Sequence, residues 1–420
     1  MNFKRIFGFI LTSFLGIFIR TILFHFHFDE KFIKRIEFST PFTNIRRLKE
    51  GIFLSQNGLS PYEGNTFHQM PILFYFFSLL NSLKSQKFIE NLIFATTDFL
   101  CLILIFLISE NHLQKKEFET KNKNFFFANF SIFLSLFCLS KTTAIFPQFF
   151  LLLTLFTAQK GWIFLSTFFL SCSVYLDIYY ILLIIPVILL LRQKKKISIF
   201  MIIFLELIWV LSLLSLSITF LMKDQEITSS SLIEFTRKLL QNKKGFIHNS
   251  LLFSITAKDR TPNVGLFWYL MIEIFSNFKN LFLFIFQFQV VPLIIPLTLQ
   301  FSKNPEFLFS IIALIISTFH PYAELGRMAL SVALLLTNIT LLKHMRNLFL
   351  VSSIFLFSIS LLPLFWFSWI NQGTGNSNFF YGATLALGLA NIWLIGDSVH
   401  SALKFQFEIK NNKKNNNNNN

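Results

Sequence analysis

Long apolar segments separated by short polar ones run along almost the whole chain. A helix that crosses a bilayer needs ~20 mostly apolar residues, with ~17–25 tolerated. Several of the segments are short, and we expect some of them to merge or tilt, so the pattern predicts roughly 10–12 spans. The candidate spans are 6–26, 89–109, 125–140, 142–157, 162–176, 178–191, 197–222, 264–275, 281–301, 307–319, 325–342, 347–370 and 379–403.

The composition supports this pattern and excludes a water-soluble protein. Of the 420 residues, 54% are hydrophobic and 14% are charged, whereas soluble domains carry about 25% charged residues. Sixty phenylalanines would overfill a single aqueous core, but lipid can solvate them. The sequence therefore predicts an all-α, polytopic transmembrane helical bundle. We expect this bundle to be a single multi-pass membrane domain over residues 1–403.

The net charge of +16 indicates how the helices are oriented in the membrane. It does not indicate nucleic-acid binding, and we do not expect nucleic acid as a partner. The basic residues lie in short loops between apolar blocks, where an excess of Lys and Arg marks the cytoplasmic side. Clusters at 4–5, 192–196, 343–346 and 404–414 therefore predict that both termini are cytosolic.

The remaining polar segments are assigned to sides accordingly. Two longer loops, near 29–70 and 223–262, are predicted to be lumenal, although both are basic. The basic segment 115–123 is predicted to be cytosolic, which requires the apolar stretch 71–83 to be interfacial or to pair with a neighbour. We expect the basic, Asn-rich tail 404–420 to be cytosolic and disordered.

The first lumenal loop contains a candidate amphipathic helix over 37–51. Ser39 or Thr40 is a suitable N-cap. One face is apolar and the other basic, as in a helix that lies flat among lipid headgroups. Packing is the simpler interpretation, and contact with a phosphorylated lipid or glycan is the alternative. The apolar face comprises Ile45, Leu48 and Ile52.

Two further segments stand out by their polar or aromatic content. The turn 261–269 leads into an aromatic-rich helix start, where Trp268 and Tyr269 are typical of an interfacial anchor. The hairpin 371–378 holds three Asn, one Gln and two Gly between two spans. A simple turn needs fewer polar groups, so a lumenal site for sugar hydroxyls or phosphate oxygens is as plausible as a plain turn.

The sequence shows no arrangement typical of catalysis or metal binding. It has no HExxH helix, nucleophile elbow or glycine-rich phosphate loop, so we predict no catalytic residue, metal or cofactor. The three cysteines lie in apolar stretches and are expected to be inert. Acids within or beside apolar segments are candidates for function, but capping or pairing explains most of them. They are Asp98, Asp177, Glu206, Glu273 and Asp397.

Three blocks carry a resemblance to a known family. They are 38–51 with Leu59-Ser-Pro-Tyr62 and Phe67-His68, then Thr261-Pro-Asn-Val-Gly-Leu-Phe-Trp-Tyr269, and Asn376-Ser-Asn-Phe-Phe-Tyr381. In order and spacing the chain resembles the PIG-U family. This family comprises the polytopic subunits of the glycosylphosphatidylinositol (GPI) transamidase complex of the endoplasmic reticulum. The resemblance extends from the first span to about residue 403.

The resemblance implies a non-catalytic subunit of the complex that attaches GPI anchors to proteins. Such chains are thought to help recognise the GPI lipid or the C-terminal attachment signal, while a separate cysteine-protease-like subunit performs catalysis. Their helical architecture resembles that of membrane glycosyltransferases that use lipid-linked sugars. The implied partners are the other subunits, the GPI lipid and membrane lipids. The implied GPI contacts are Asn376, Asn378, Phe379 and Tyr381.

Two alternative functions are a lipid-linked-sugar mannosyltransferase and a transporter. A lipid-linked-sugar mannosyltransferase of the endoplasmic reticulum needs an acid in its first lumenal loop, and Asp29-Glu30 lies close to that position. A transporter would show internal repeats or matching broken spans, and no convincing repeat is present.

Overall fold

A computed structural model describes residues 18–62, 64–113, 138–223 and 245–418. Five predictions lie wholly or mostly outside these residues. They concern the basic cluster 4–5, the greater part of the span over 6–26, the span over 125–140, the basic segment 115–123, and the greater part of the loop 223–262.

Helices account for almost all of the regular structure in the described residues. Two 3-10 turns, Ile178–Leu183 and Ser276–Phe278, and two π turns, Ile247–Leu251 and Phe367–Asn371, link some of them. The helices are α1 Phe28–Phe32, α2 Ile45–Gln56, α3 Pro71–Asn81, α4 Gln86–Leu113, α5 Ile145–Lys160, α6 Ile163–Leu176, α7 Ile184–Lys194, α8 Ile199–Lys223, α9 Phe253–Thr256, α10 Phe267–Glu273, α11 Lys279–Phe288, α12 Val290–Phe301, α13 Pro305–Phe319, α14 Leu325–Leu336, α15 Leu348–Trp366 and α16 Ser377–Asn418.

The long helices confirm the predicted polytopic bundle. Five helical segments in the described part of the chain are long and apolar enough to cross a membrane. Neighbouring helices pack against each other, most extensively α5 with α6, α15 with α16, and α4 with α5. The five segments are 86–111, 199–221, 276–301, 348–371 and 377–412.

The centre of the bundle is formed by α13 and α14. Both helices are buried around nearly their whole circumference, as expected of a helix that is apolar on every side. Two hydroxyls join them: Ser310 donates to the Leu334 carbonyl at 3.0 Å, and Ser331 donates to the Ala313 carbonyl at 3.1 Å. Small hydroxyl side chains allow helices to approach closely within a membrane.

The outer helices have the opposite character. Within the membrane-spanning windows of α8 and of the α11–α12 segment, only 11% of residues are buried. Their outward side chains are large and apolar; Phe200, for example, is 83% exposed. These faces are exposed and lie outside the core of this chain.

The loops gather at two opposite ends of the bundle, because successive helices alternate in direction. One end, here the hairpin end, holds the hairpin 371–378, residues 39–44 and residues 320–324. The other, the basic end, holds the Lys-rich loops. There Gln193 donates to the Ser302 carbonyl at 3.1 Å, and His344 lies 2.8 Å from the Glu408 carboxylate.

Two local expectations differ from the structure. The amphipathic helix starts at Ile45, not at Ser39 or Thr40, and Asn44 caps it by accepting from the Arg46 N–H at 2.8 Å. The buried apolar face is as predicted.

The C-terminal tail also differs from expectation, because α16 continues to Asn418 instead of ending in disorder near residue 404. Tertiary contacts extend the helix beyond the apolar segment. Phe405 packs against the core, and Glu408 pairs with His344.

Candidate functional site

The hairpin 371–378 has a backbone that requires glycine at two places. Gly373 has φ +67°, in the left-handed region. Gly375 lies so close to Ser368 that a Cβ would meet its Oγ at 2.7 Å. The N–H groups of Thr374 and Gly375 both donate to the Ser368 carbonyl, at 3.0 and 3.1 Å. The turn is therefore built and fixed, with residues 371–374 exposed.

Asn376 has a structural role that the sequence analysis did not assign to it. It immediately precedes α16, and its Oδ1 accepts from the N–H groups of Asn378 at 3.1 Å and Phe379 at 3.3 Å. This is the geometry of a helix N-cap, which satisfies otherwise unpaired donors of the first turn. The signal was present in the sequence, since Asn directly before an apolar helical segment is typical of a cap.

Asn378 and Tyr381 connect the hairpin to the start of α10. The Tyr269 hydroxyl donates to Asn378 Oδ1. The rings of Tyr269 and Tyr381 stack with centroids 4.3 Å apart, and the Tyr381 hydroxyl donates to the Leu266 carbonyl at 3.2 Å. Two blocks that are far apart in sequence, 261–269 and 376–381, thus form one surface.

An aromatic cluster lies directly behind this surface. Trp268, expected to be an interfacial anchor, is instead 2% exposed and stacks on Trp369 with centroids 6.4 Å apart. Phe380 contacts both rings. Phe379, in contrast, is 55% exposed and points outward beside Phe365. Of the four predicted contact residues, Asn378 and Phe379 are the most open to a ligand, because Asn376 is a cap and Tyr381 is largely buried.

A buried polar layer lies at the same end, under the loops. Glu324 accepts hydrogen bonds from three hydroxyls: from Thr40 at 3.0 Å, from Thr142 at 3.0 Å, and from Thr43. We call these four residues the threonine cluster. Burial raises the pKa of Glu324, while Arg327 and the hydroxyls act against this rise. Glu324 is a site residue that was not predicted from the sequence, although an acid between two apolar segments was a usable signal.

A second buried group adjoins the threonine cluster. Arg327 pairs with Asp177, and His320 Nε2 lies 3.4 Å from the same carboxylate oxygen. Burial alone would raise the pKa of Asp177, but Arg327 and His320 together hold it below its usual range. Pairing was the predicted explanation for most such acids, and Asp177 confirms it.

The acids considered for a mannosyltransferase have partners of their own. Asp29 is buried, and its carboxylate lies 2.8 Å from the Lys141 ammonium. Lys141 also lies 3.2 Å from Glu90. Glu30 is exposed and lies 3.4 Å from Lys87. A carboxylate that is buried and neutralised by a lysine is poorly suited to act as a general base.

Comparison with known proteins identifies relatives along nearly the whole chain. The human "GPI-anchor transamidase component PIGU" is 27% identical over 420 aligned residues, which cover 95% of this chain and 94% of the human one. The Saccharomyces cerevisiae "GPI transamidase component GAB1" is 30% identical over 374 residues, covering 89% and 88% of the two chains. The Schizosaccharomyces pombe "GPI transamidase component GAB1 homolog" is 25% identical over 370 residues, covering 85% and 84%.

A family model gives the same result. The model described as "GPI transamidase subunit PIG-U" matches residues 14–387. That range includes both of the blocks that meet at the hairpin end, as well as the threonine cluster. The chain therefore belongs to the PIG-U family of GPI transamidase subunits.

Proposed function

We propose that this chain is a non-catalytic subunit of the GPI transamidase complex and that its hairpin end helps recognise the GPI lipid. Membership of the family supports the place in the complex. The proposed partners are the other subunits, among them a cysteine-protease-like catalytic chain, together with GPI and membrane lipids. Purification of the tagged chain in mild detergent tests this. Co-elution of the catalytic subunit supports it, and a lone chain with glycosyl transferase activity contradicts it.

The observation that carries the recognition role is the surface formed by Tyr269, Asn378 and Phe379. Asn378 presents an amide beside an aromatic pair, and Phe379 is exposed next to it. Amide groups bind sugar hydroxyls and phosphate oxygens without adding charge. Exposed rings contact the apolar faces of a glycolipid at the depth where headgroup and hydrocarbon meet. GPI offers both kinds of group at one depth.

The proposal requires the hairpin end to be lumenal and both termini to be cytosolic. The Lys-rich loops at the basic end support this orientation through the positive-inside rule. A single Cys at position 377, in a chain whose native cysteines are replaced by Ala, tests it on intact microsomes. Labelling from the lumenal side supports the orientation, and labelling only from the cytosolic side contradicts it.

A non-catalytic role is supported by the state of the candidate nucleophiles and bases. Cys101, Cys138 and Cys172 are all buried, where a thiolate is costly to form. Asp29 is paired with Lys141. A chain with all three cysteines changed to Ala is expected to support GPI attachment. Loss of attachment in a fully assembled complex would contradict a non-catalytic role.

The recognition role is tested by variants that separate binding from folding. Asn378→Leu removes the amide at the surface while leaving the Asn376 cap intact. Each lost hydrogen bond to a charged or sugar group weakens binding by ~1–3 kcal/mol. We expect normal complex yield, with GPI attachment reduced about tenfold or more at limiting GPI.

Tyr269→Phe is the matched control, because it removes the hydroxyl that occupies Asn378 but keeps the ring stack with Tyr381. We expect this variant to retain attachment, since the amide remains available. Yield and attachment are measured on the same membranes. Normal attachment by a normally assembled Asn378→Leu variant would refute the recognition role. Low yield with fully active residual complexes would show a structural one.

A further inference from the structure

The basic end contains a groove that the proposed function does not use. A cavity of about 250 Å³ lies between α7, α13 and α16, and a wider one of about 1100 Å³ lies between α12 and α16. Both are lined by Lys303, Asn304, Gln406 and Ile409, so they form one continuous basic groove. Ser377 and Lys404 are 27 residues apart along α16. At ~1.5 Å per residue, the basic groove is therefore roughly 40 Å from the hairpin.

The lining of the basic groove is strongly cationic. It includes Lys194, Lys303, Lys404 and Lys410, together with His400, against one lining acid, Glu306. In the described part of the chain, none of these four lysines forms an ion pair. Like charges gathered in a concave site with low-dielectric walls raise the local concentration of anions. The charge therefore points to an anionic ligand.

A second, independent observation points to a ligand that also carries hydroxyl groups. Asn338 lines the inner part of the basic groove and is 1% exposed. Its Nδ2 donates to Ser310 Oγ at 3.1 Å, but its Oδ1 has no hydrogen-bond partner within the described ranges 18–62, 64–113, 138–223 and 245–418. A buried acceptor without a donor is energetically unfavourable. A hydroxyl group on a ligand would satisfy it.

The margin of the groove is apolar and faces outward. Leu299 is 77% exposed and Phe407 is 64% exposed, and both line the wide part of the groove. Charged groups inside and exposed apolar groups at the margin match an amphiphile, with its headgroup in the groove and its acyl chains along the outer helices. A soluble phosphate ester would leave these apolar side chains without a role.

We propose that the basic groove binds the headgroup of a phosphatidylinositol-class phospholipid in the leaflet opposite the hairpin. Lys303 and Lys404 hold the phosphate, an inositol hydroxyl donates to Asn338 Oδ1, and the acyl chains lie along Leu299 and Phe407. Basic pockets between membrane helices favour such headgroups. This site is separate from the hairpin, and it does not depend on the proposed recognition of GPI.

Binding of short-chain fluorescent lipids to the full chain in mild detergent tests the proposal. We expect phosphatidylinositol to bind more tightly than phosphatidylserine, and phosphatidylcholine to bind least. The variant Lys303→Gln/Lys404→Gln should weaken phosphatidylinositol binding about tenfold or more, on the basis of about 1 kcal/mol per basic residue. Asn338→Leu should remove the preference for phosphatidylinositol over phosphatidylserine.

The matched control is Lys195→Gln/Lys196→Gln, which removes two charges from the same end outside the groove. We expect it to bind phosphatidylinositol within about twofold of the unmodified chain. An equal loss in the control would overturn the proposal, because the attraction would then be diffuse. Equal binding of all three lipids by the unmodified chain would also overturn it.

Two measurements on the unmodified chain remain decisive if a variant fails to fold. Binding of phosphatidylinositol should weaken as salt is raised, since the contacts are ionic. Salt-independent binding would contradict the proposed site. Soluble inositol phosphate should compete poorly, because it lacks acyl chains. Competition at the same concentration as the lipid would assign the groove to a soluble ligand and overturn the proposal.

Discussion

The hairpin and the threonine cluster lie at the same end of the molecule but are built in opposite ways. The hairpin is closed by local contacts, is exposed over 371–374, and joins the rest of the protein mainly through Tyr269 and Tyr381. The threonine cluster is completely buried and joins three loops, from Thr40, Thr142 and Glu324.

This difference in burial indicates that the threonine cluster stabilises the fold and that the hairpin is available to bind a ligand. A buried polar group must have its partners, so the threonine cluster fixes the loops relative to one another. Its groups are buried and hydrogen-bonded to one another. The hairpin keeps polar groups in the open, where a ligand can replace water. Changes in the first region should therefore affect assembly, and changes in the second should affect function at constant assembly.

The largest effect is expected for Arg327→Leu. This change removes the arginine that pairs with the buried Asp177 carboxylate and leaves it beside His320 and the Tyr179 N–H. Breaking a buried ion pair is unfavourable by about 3–5 kcal/mol. Thermal unfolding in detergent and complex yield on membranes measure the loss. The double variant Asp177→Asn/Arg327→Leu should recover part of it, because no uncompensated charge remains. If Arg327→Leu alone keeps full yield, the ion pair does not stabilise this end.

A slightly smaller loss, about 3 kcal/mol, is expected for Glu324→Ala, which removes the acceptor of three hydroxyls at once. Glu324→Gln is the control. It keeps one oxygen acceptor and can donate to a threonine hydroxyl, so we expect it to be nearer the unmodified chain in unfolding temperature. Equal losses in the two variants would show that the hydrogen bonds matter less than the charge.

A pH-dependent effect is expected at Glu37, which is buried and has no hydrogen-bond partner for either carboxylate oxygen among the residues that the structure describes. Burial raises its pKa above 4.5, although its own backbone and Arg35 act to lower it. Its contribution to stability is therefore complete below pH 4.5 and is lost as the pH rises through the raised pKa.

Glu37→Gln removes this dependence. Relative to the variant, the unmodified chain should lose about 1.4 kcal/mol of stability per pH unit between the two pKa values. Unfolding temperatures of both chains, measured from pH 4 upward, give the comparison. Parallel curves would mean that Glu37 has the same pKa in the folded and unfolded states.

The smallest effect should come from the hairpin itself. Asn376→Ala removes the cap of α16 and should destabilise the chain by about 1 kcal/mol, within the ~0.5–2 kcal/mol found for caps. Asn376→Ser keeps a capping oxygen and should restore stability. If Asn376→Ser restores stability but not GPI attachment, the Asn376 amide also contacts the ligand.

The sequence predicted those features that depend on local pattern. Hydropathy located the helices, and the apolar face of α2 is buried as its spacing indicates. Helix boundaries were less accurate where tertiary contacts decide them. Thr40 was a plausible cap, but its hydroxyl serves Glu324, and Asn44 caps α2 instead. Likewise, α16 passes residue 404 because of contacts with Phe405 and Glu408 that no local pattern shows.

The sequence predicted which segment holds the candidate site, but it did not predict which other residues that segment contacts. Composition singled out the hairpin, and the family resemblance singled out Asn376 and Asn378. The pairing of Tyr269 with Asn378 joins positions that are 109 residues apart, and a single sequence contains no record of that contact. The same holds for Glu324, whose importance follows only from the three threonines around it.

The large sequence separation between the residues of the threonine cluster has a consequence for how the chain folds during synthesis. Thr40 and Glu324 are separated by 284 positions, so the hydroxyl leaves the ribosome long before its acceptor is made. At ~5–20 residues per second, the delay is roughly 15–60 s. During that interval the Thr40 hydroxyl lacks the acceptor that it has in the folded protein. Chains truncated before Glu324 should therefore be less stable than the full chain, because three threonine hydroxyls are left without this acceptor.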